Sequence, residues 1–372
     1  MHLPWQILEW FSRLRSLPRS REAGRHRLRI SCSESHEAIL SFGGVLERGG
    51  LIHGGAVKLL ALQFALACSE EKFNLLYLVS SAQPEFPVEL VYICKDRGIK
   101  FVWNQNGVGY PAWAGSGAEL HNAPMRRLRV ASDYIIYQSE FCKSSANRFL
   151  GPCTAPSKTL LNPVDLMRFS PPTFPNPRTP LRLLAMGTQN YPARVNHVID
   201  SLSELRRGGV DATLTIAGRL LWKDAESGIA GHAAGCGVEP FVFRVGEFTQ
   251  DMAVSLYRSH HVLIHPKYMD PCPTVVAEAL ACGLPVVASL SGGLAEMTSA
   301  SCARLIPVPE DWNAMHTPSG QEIAEAIADL LPNLAAASLA AREFAIANFD
   351  SKGWVLSHKR IFQTLLHGTT PS

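Results

Sequence analysis

One segment, residues 265–296, constrains the fold of this chain more than any other. It reads HPKYMDPCPTVVAEALACGLPVVASLSGGLAE. A helix is predicted from Pro273, because proline fits the first helical turn without losing a hydrogen bond and aliphatic residues follow at helical spacing. The run LPVVAS after this helix predicts a short buried strand, and the two glycines that follow predict a tight turn. Helices between buried strands are typical of α/β folds.

Short apolar runs alternate with helical patterns along the rest of the chain and predict further parallel strands. The first strand is predicted at residues 27–33, ahead of a glycine-rich stretch and a helix from Ala56. The other predicted strands are FNLLYLVSS, IKFVWNQNG, DYIIYQSEF, LRLLAMG, ATLTIAGR, FVFRVG and HVLIHP. A chain of 372 residues exceeds what one core usually serves, so two domains are expected.

A run of prolines between Pro163 and Pro180 predicts a linker of restricted flexibility and hence the domain boundary. The chain is therefore divided into an N-terminal extension (1–25), a first domain (26–163), a proline-rich linker (164–180), a second domain (181–350) and a closing helix (351–372).

The N-terminal extension combines an apolar helical stripe with arginines. Seven arginines lie between Arg13 and Arg29. An amphipathic helix followed by arginines can lie on an anionic membrane surface, although a helix packed on the first domain, or a frayed extension, explains the pattern equally well. No signal peptide is expected, and the apolar stretches are too short to span a bilayer. The stripe consists of Leu3, Ile7, Trp10, Phe11 and Leu14.

Composition favours a protein of the cytoplasm, either free or on the inner face of a membrane. Hydrophobic residues make up 47% and charged residues 18%, which fits an α/β enzyme with well-buried strands. The spacing of the nine cysteines indicates neither a CxxC pair nor a Cys/His cluster at metal spacing, so a reducing compartment is expected and structural zinc is not. The basic run lacks a recognisable nucleic-acid-binding motif, so nucleic acid is not an expected partner.

Two clusters mark a candidate anion or sugar site. Gly54 and Gly55 precede a predicted helix whose free N–H groups can face a phosphate. Lys58 in the first turn opposes the helix dipole by about 0.3–1 kcal/mol unless an anion is close. A solvated Lys58 is the alternative. The amides at 104–106 lie at the carboxyl end of a predicted strand, the edge at which open α/β sheets bind ligands, so they could hydrogen-bond a sugar or a phosphate. The alternative is that they form a turn that caps the strand.

The spacing of acids and glycines in residues 265–296 matches a family pattern. Asp270 and Glu278 are separated by seven residues, and a Gly-x-Pro-Val-Val and Gly292-Gly293-x-x-Glu follow. This pattern resembles that of the retaining glycosyltransferases of family 4, the glycosyl transferases group 1. The resemblance implies a GT-B fold: two Rossmann-like domains facing each other across a cleft, with a C-terminal helix that crosses back to the first.

The resemblance also implies roles for individual residues. Glu278 is expected to bind the ribose hydroxyls, and Asp270, which replaces the usual Glu, the transferred sugar. Arg194 occupies the position of a lysine that neutralises the donor diphosphate. Arg219 and Lys223 are further candidates for the diphosphate by position alone. Val245 corresponds to a residue whose backbone contacts the base. The Gly292–Gly293 pair offers backbone N–H groups to a phosphate. The remaining residues assigned to the donor are Arg219, Lys223, Gly292 and Gly293, and those assigned to the cleft are Asn104, Gln105 and Asn106.

These features lead to an expected hexosyltransferase. It would move a sugar with retention from a nucleotide-diphosphate sugar to a lipid-linked or envelope polysaccharide acceptor. No cofactor is expected, and no metal, because the chain has no Asp-x-Asp to bind a metal-bridged diphosphate. Two alternatives stay open: a nucleotide-sugar epimerase of the same architecture, and a non-catalytic binding or scaffold protein, which the departures at Asp270, Thr188 and Asn104 would suit.

Overall fold

The computed structural model describes residues 27–44, 54–173, 177 and 179–368. The predicted extension at residues 1–25 and part of the proline-rich linker lie outside these residues. The described chain forms two α/β lobes, each built on a six-stranded parallel sheet.

The sheet of the first lobe has the strand order β3-β2-β5-β6-β7-β8. A separate parallel pair, β1 and β4, flanks it. The central strand β5 is buried on both faces, as expected for a sheet covered by helices. The strands are Ser31–Cys32 (β1), Ile39–Ser41 (β2), Ala67–Cys68 (β3), Lys72–Phe73 (β4), Leu75–Val79 (β5), Lys100–Gln105 (β6), Tyr134–Tyr137 (β7) and Ser157–Thr159 (β8).

Helices cover both faces of this sheet. The hydroxyl of Ser139 caps α5 by accepting from the N–H of Cys142, which satisfies one of the free donors at the helix start. The helices of the first lobe are Gly54–Ala65 (α1), Pro87–Asp96 (α2), Pro111–Ala114 (α3), Ala118–Ala131 (α4) and Glu140–Leu150 (α5).

The second lobe has the strand order β11-β10-β9-β12-β13-β14. In this lobe's own numbering that is 3-2-1-4-5-6, the order of a Rossmann fold, in which the crevice opens where the order reverses, between β9 and β12. The strands are Leu181–Met186 (β9), Ala212–Ala217 (β10), Val242–Val245 (β11), Val262–His265 (β12), Val286–Leu290 (β13) and Ala303–Pro307 (β14).

The helices of the second lobe complete the fold. A capping box at Ser319 and Glu322 fixes the start of α10. The helices are Pro192–Arg207 (α6), Ala225–Gly235 (α7), Gln250–Ser259 (α8), Thr274–Ala281 (α9), Gly320–Leu330 (α10), Leu334–Asn348 (α11) and Ser351–His367 (α12). The last of these, α12, crosses back as predicted: its residues Trp354, Ile361 and Phe362 belong to the core of the first lobe.

The predicted first strand at residues 27–33 is wrong in extent and in place. Residues 27–29 are helical, and only Ser31–Cys32 pair, in the small flanking sheet. The strand that enters the main sheet is Ile39–Ser41, which pairs with β3 and β5. Its three residues are too few for alternation or composition to separate a strand from a loop.

One described helical stretch, Gly320–Asn348, is long and apolar enough by length and composition to cross a membrane. This differs from the expectation that every apolar stretch is too short. The stretch comprises α10 and α11 joined by the 3-10 turn Leu331–Asn333, and its buried faces pack in the cores of the second lobe. A core helix passes the same test, so the stretch is weak grounds for a membrane span.

Candidate functional site

A crevice of about 430 Å³ lies between the two lobes. It is lined by residues that follow the carboxyl ends of β6, β7, β9 and β12, the edge where open parallel sheets bind ligands. The polar and charged side chains that line it are Lys58, Ser81, Asn106, Gln138, Asn162, Thr188, Asn190, Arg194, His265, Lys267, Asp270 and Thr274.

Residues 270–272 form the wall of this crevice and are held by both lobes. The first carbonyl of the three accepts from the N–H of Gly293 at 2.9 Å. The second accepts from the hydroxyl of Ser139 at 2.7 Å, and the third from the Asn162 amide at 2.7 Å. Ser139 starts α5 of the first lobe, so these bonds fix the wall against both sheets.

A carboxylate of the second lobe adds another contact between the lobes. Glu296, the last residue of the glycine motif, accepts from the backbone N–H groups of Glu140 at 2.6 Å and Phe141 at 3.0 Å. These donors lie in the first turn of α5, where a carboxylate also complements the helix dipole. The glycine motif thus ends in a bond that joins the lobes.

Asp270 lies in the crevice, as predicted, but its Oδ2 already has two partners. Lys267 Nζ lies at 2.9 Å and His265 Nε2 at 3.1 Å. Burial alone would raise the pKa of this carboxyl, but the Lys267 charge and the His265 hydrogen bond outweigh it and hold the pKa well below its usual range. Asp270 is therefore ionised, and a sugar hydroxyl would share a carboxylate that is already paired.

Arg194 is 2% exposed and reaches the same crevice from the start of α6. Its Nη1 donates to the carbonyl of Thr188 at 3.0 Å, and Nη2 lies 3.5 Å from His265 Nδ1. Burial lowers the pKa of His265 to about 4, so the ring is neutral and accepts from Arg194 while its Nε2–H donates to Asp270. Arg194 Nε is buried without a partner among the described residues.

Lys58 is 2% exposed, so the solvated alternative is wrong. It starts a buried chain of hydrogen bonds: Nζ donates to Asn104 Oδ1 at 3.0 Å, and Asn104 Nδ2 donates to the Tyr77 hydroxyl at 2.9 Å. Tyr77 lies 3.0 Å from His358 Nε2, and His358 Nδ1 lies 2.9 Å from the carbonyl of Trp354. Because a carbonyl only accepts, every donor in the chain is fixed. Burial lowers the pKa of Lys58 to about 8.

The three amides predicted to line the cleft occupy different positions. Asn106 lines it, accepts from Lys58 at 3.3 Å and donates to the Ser81 hydroxyl at 2.6 Å. Asn104 is a correction, since it lies behind Lys58 as that residue's acceptor. Gln105 is a second correction: strand alternation turns it away, and its Nε2 lies 3.3 Å from the carbonyl of Gly107.

The glycines before Lys58 begin α1, and Gly55 lines the crevice. A Cβ at Gly55 would lie 2.6 Å from the Ser81 hydroxyl, so the close approach of the helix to β5 requires glycine there. Gly54 is the first residue of α1. The predicted helix start at the cleft is therefore in place.

The second glycine pair packs against the crevice wall. The N–H of Gly293 donates to the carbonyl of Asp270 and is not free for a phosphate. A Cβ at Gly292 would lie 2.3 Å from that carbonyl oxygen, and one at Gly293 would lie 2.1 Å from the carbonyl oxygen of Pro271. Gly292 and Gly293 are thus glycines because the crevice wall packs directly on them.

Glu278 is buried, and it lines a second, apolar crevice of about 640 Å³ between α1, α9 and α12. Its Oε2 accepts from the Tyr257 hydroxyl at 2.9 Å. Burial raises the pKa of Glu278 to about 7, against the lowering effect of Tyr257 and Arg168. Asp270 and Glu278, eight positions apart, therefore line two different cavities, whose lining residues do not overlap.

The remaining predicted donor contacts lie at the rim of the second sheet. Lys223 is a correction: its side chain is 92% exposed and 3.9 Å from Asp224, because it belongs to a surface turn. Arg219 is half-exposed, and its Nε lies 3.7 Å from Glu247. Val245 ends β11, and its carbonyl accepts from the N–H of Gly218 at 3.0 Å. None of the three lines the central crevice among its described lining residues.

Several site residues were missed from the sequence. Lys267 lies three positions before Asp270, a spacing that predicts a local ion pair, and His265 ends a predicted strand. Tyr77 and His358 are 281 positions apart, and no local signal joins them. The sequence therefore contained a signal for the local pair, whereas the distant contact depends on how α12 crosses back.

A third cavity of about 340 Å³ adjoins the central crevice and shares Ser81, Asn106, Lys267 and Pro271 with it. Its other walls are largely aromatic. A loop of the second lobe closes over this region, where Trp312 stacks on Phe141 of the first lobe with ring centroids 5.6 Å apart. The aromatic lining residues are Tyr110, Trp113, His121, Phe141 and Tyr268.

Gly293→Ala tests the packing of the crevice wall. The added methyl would lie 2.1 Å from a backbone oxygen, so we expect a loss of about 1–3 kcal/mol of stability or more. The loss of stability is measured as a fall in the midpoint of thermal unfolding relative to the parent. The matched control is Gly231→Ala on α7, where a Cβ meets nothing within 4 Å. Equal unfolding midpoints for the two variants would contradict this packing.

Glu278→Gln tests the buried carboxyl. The raised pKa of Glu278 means that its stability contribution is fully present below about pH 4.5 and is lost as pH rises through about 7. The amide removes this loss, so the variant should gain on the order of 1–3 kcal/mol over the parent between pH 5 and pH 8. The measurement is the unfolding midpoint of Glu278→Gln and of the parent at pH 5 and at pH 8. If the stability difference between the two proteins is the same at both pH values, the pKa of Glu278 is not raised.

One family model matches the second lobe together with part of the linker. Residues 169–340 match the model of the family described as "Glycosyl transferases group 1". The glycogen synthase of Mycobacterium tuberculosis is 29% identical over 247 residues, which cover 62% of this chain and 56% of that protein. The chain thus spans little more than half the length of this curated relative.

Solved structures share the two-lobed fold. HepE of Anabaena in complex with UDP superposes with a TM-score of 0.64 at 15% identity, covering 84% of this chain and 82% of that one. Sucrose-phosphate synthase of Thermosynechococcus elongatus gives a TM-score of 0.62 at 18% identity, covering 85% and 78%. The chain therefore has the GT-B fold, and the part that matches the group 1 family model lies mainly in the second lobe.

Proposed function

We propose that the protein is a glycosyltransferase that binds a nucleotide-diphosphate sugar in the central crevice and transfers the sugar to a saccharide or lipid-linked acceptor. The observation that carries this proposal is the pair Lys58 and Arg194, two buried cations from opposite lobes that line one cavity. Burying two cations costs free energy that an anion between them would offset.

Charge in the crevice favours a diphosphate. Lys58, Arg194 and Lys267 line it against one acid among the described lining residues, Asp270, while His265 is neutral. The diphosphate gains negative charge as the bond to the sugar breaks, so fixed cations stabilise the transition state more than the ground state. The same excess of cations supports departure without a metal ion, as the absence of Asp-x-Asp suggested.

The two other cavities suit the two ends of the reaction. Glu278 retains one carboxylate oxygen beyond its bond to Tyr257, which fits the proposed acceptance of ribose hydroxyls. The aromatic walls of the third cavity suit a sugar ring, and it joins the crevice beside Lys267. We place the acceptor there and the transferred sugar near Asp270.

Retention of configuration and an envelope polysaccharide or glycolipid product are proposed from the family resemblance. Cytoplasmic location, with residues 1–25 on the inner face of the membrane, is proposed from the amphipathic and arginine-rich sequence. HepE has been solved in complex with UDP-glucose, so UDP and UDP-glucose are the first ligands to try.

The test is binding followed by turnover. Calorimetry with UDP, GDP and ADP selects the nucleotide, and incubation with its sugars, with and without added Mg²⁺, follows the product. Release of nucleotide with sugar transfer supports the proposal. An interconverted sugar indicates the epimerase, and binding without turnover indicates a scaffold protein; either result refutes the proposed transfer.

Glu278→Ala should weaken binding of the selected nucleotide tenfold or more, about 1.4 kcal/mol, because it removes the proposed ribose contact. Glu343→Ala, on the exposed face of α11, is the matched control and should bind normally. Unchanged affinity in Glu278→Ala would remove Glu278 from the donor site without affecting the assignment of the central crevice.

Affinity for the nucleotide should depend on pH through Lys58. Its pKa of about 8 in the free protein rises when a diphosphate binds, since an anion favours the ammonium form. Affinity should therefore be flat below pH 8 and fall by up to about tenfold per pH unit above it. Lys58→Gln should weaken binding and abolish this dependence; calorimetry between pH 7 and pH 9.5 measures both.

A further inference from the structure

A cluster of metal-ligating side chains lies on the second lobe, among residues that do not line the central crevice. Asp200 belongs to α6, whereas His232 and Cys236 belong to the last turn and the C-cap of α7. Positions four apart on a helix share one face, so His232 and Cys236 point the same way. The ligand atoms of all three residues lie within 4.8 Å of one another.

The three groups converge on one carboxylate oxygen. His232 Nε2 lies 2.7 Å from Asp200 Oδ1, and the Cys236 thiol donates to the same oxygen at 3.4 Å. The side chains of His232 and Asp200 are 30% and 34% exposed, so the cluster is open to ions from solvent. His232 Nε2 and Cys236 Sγ thus both contact Asp200 Oδ1, and a cation bound among these three atoms would replace the two hydrogen bonds.

The backbone around this cluster is fixed. Gly320, at the start of α10, packs so closely on Asp200 that a Cβ there would lie 2.3 Å from the Asp200 Cβ. The N–H of Cys236 donates to the carbonyl of His232 at 3.0 Å, and the carbonyl of Cys236 accepts from the Ser203 hydroxyl at 3.1 Å. Three helices therefore hold the ligands in position before any ion binds.

We propose that Asp200, His232 and Cys236 form a binding site for a divalent transition-metal ion of the zinc class, with water as the fourth ligand. A thiolate, an imidazole and a carboxylate are ligands that Zn²⁺ takes in tetrahedral sites. On binding, the thiol releases its proton to solvent, and His232 binds the ion through Nε2 with the ring proton on Nδ1, so that the bond to the ion replaces its hydrogen bond to Asp200. No redox step is involved.

An ion at this site would restrict the position of α6, the helix that also carries Arg194. Asp200 follows Arg194 by six residues on α6, roughly 9 Å along the helix axis. An ion bound there would join α6 to α7 and stabilise the second lobe, apart from the chemistry of sugar transfer.

Co²⁺ is the probe, because thiolate ligation gives it a charge-transfer band in the near ultraviolet. The metal-free protein, titrated with Co²⁺ under reducing conditions, should develop this band at one equivalent, and Zn²⁺ should displace it. Cys236→Ser should abolish the band, Asp200→Asn should weaken Co²⁺ binding tenfold or more, and the double variant Cys32→Ser/Cys68→Ser, which removes two exposed thiols, should leave it intact.

Absence of the band in the folded parent would overturn the site. So would a band that survives in Cys236→Ser or vanishes in Cys32→Ser/Cys68→Ser. Circular dichroism establishes that each variant is folded, and His232→Gln provides a second loss-of-site variant should Cys236→Ser unfold. None of these readouts uses sugar transfer, so failure of the metal site and failure of the proposed function are distinguishable.

Discussion

Three consecutive carbonyls, those of residues 270–272, carry the constraint on which the site depends. Gly293 holds the first from within the second lobe, whereas Ser139 and Asn162 hold the other two from the first lobe. These bonds aim Asp270 into the crevice and close the lobes on each other. A glycine pair beneath the segment is required because no Cβ fits there. The glycine motif therefore holds the crevice wall in position and joins the two lobes.

A second set of bonds makes the C-terminal helix part of the site. The chain from Lys58 through Asn104 and Tyr77 ends on His358 of α12. Burial lowers the pKa of His358 to about 3, so it stays neutral and acts as an acceptor. Lys58 is thus oriented toward the crevice by a helix that follows the second lobe in sequence. The docking of α12 therefore contributes to the placement of the Lys58 ammonium group.

Much of this architecture follows from the sequence. Apolar runs predicted most strands of both sheets, and the resemblance placed Arg194 and Asp270 at one crevice, where the structure has them. The failures share a physical cause. Ile39–Ser41 is too short for a periodic signal. Gln105 and Asn106 are adjacent amides, and only the alternation of side chains along the strand directs Asn106 into the crevice and Gln105 away from it. The prediction that no Cys and His lie at metal-ligand spacing is wrong for His232 and Cys236, which are four positions apart at the end of α7. Asp200 completes their cluster only through the packing of α6 on α7.

The central claim is that one anion bridges two buried cations supplied by opposite lobes. A crystal structure of the protein with its selected nucleoside diphosphate tests this most directly. The account predicts diphosphate oxygens within hydrogen-bond distance, about 2.7–3.2 Å, of both Lys58 Nζ and the Arg194 guanidinium. A nucleotide bound elsewhere, or a diphosphate that contacts only one lobe while the other cation keeps its present partners, would contradict it.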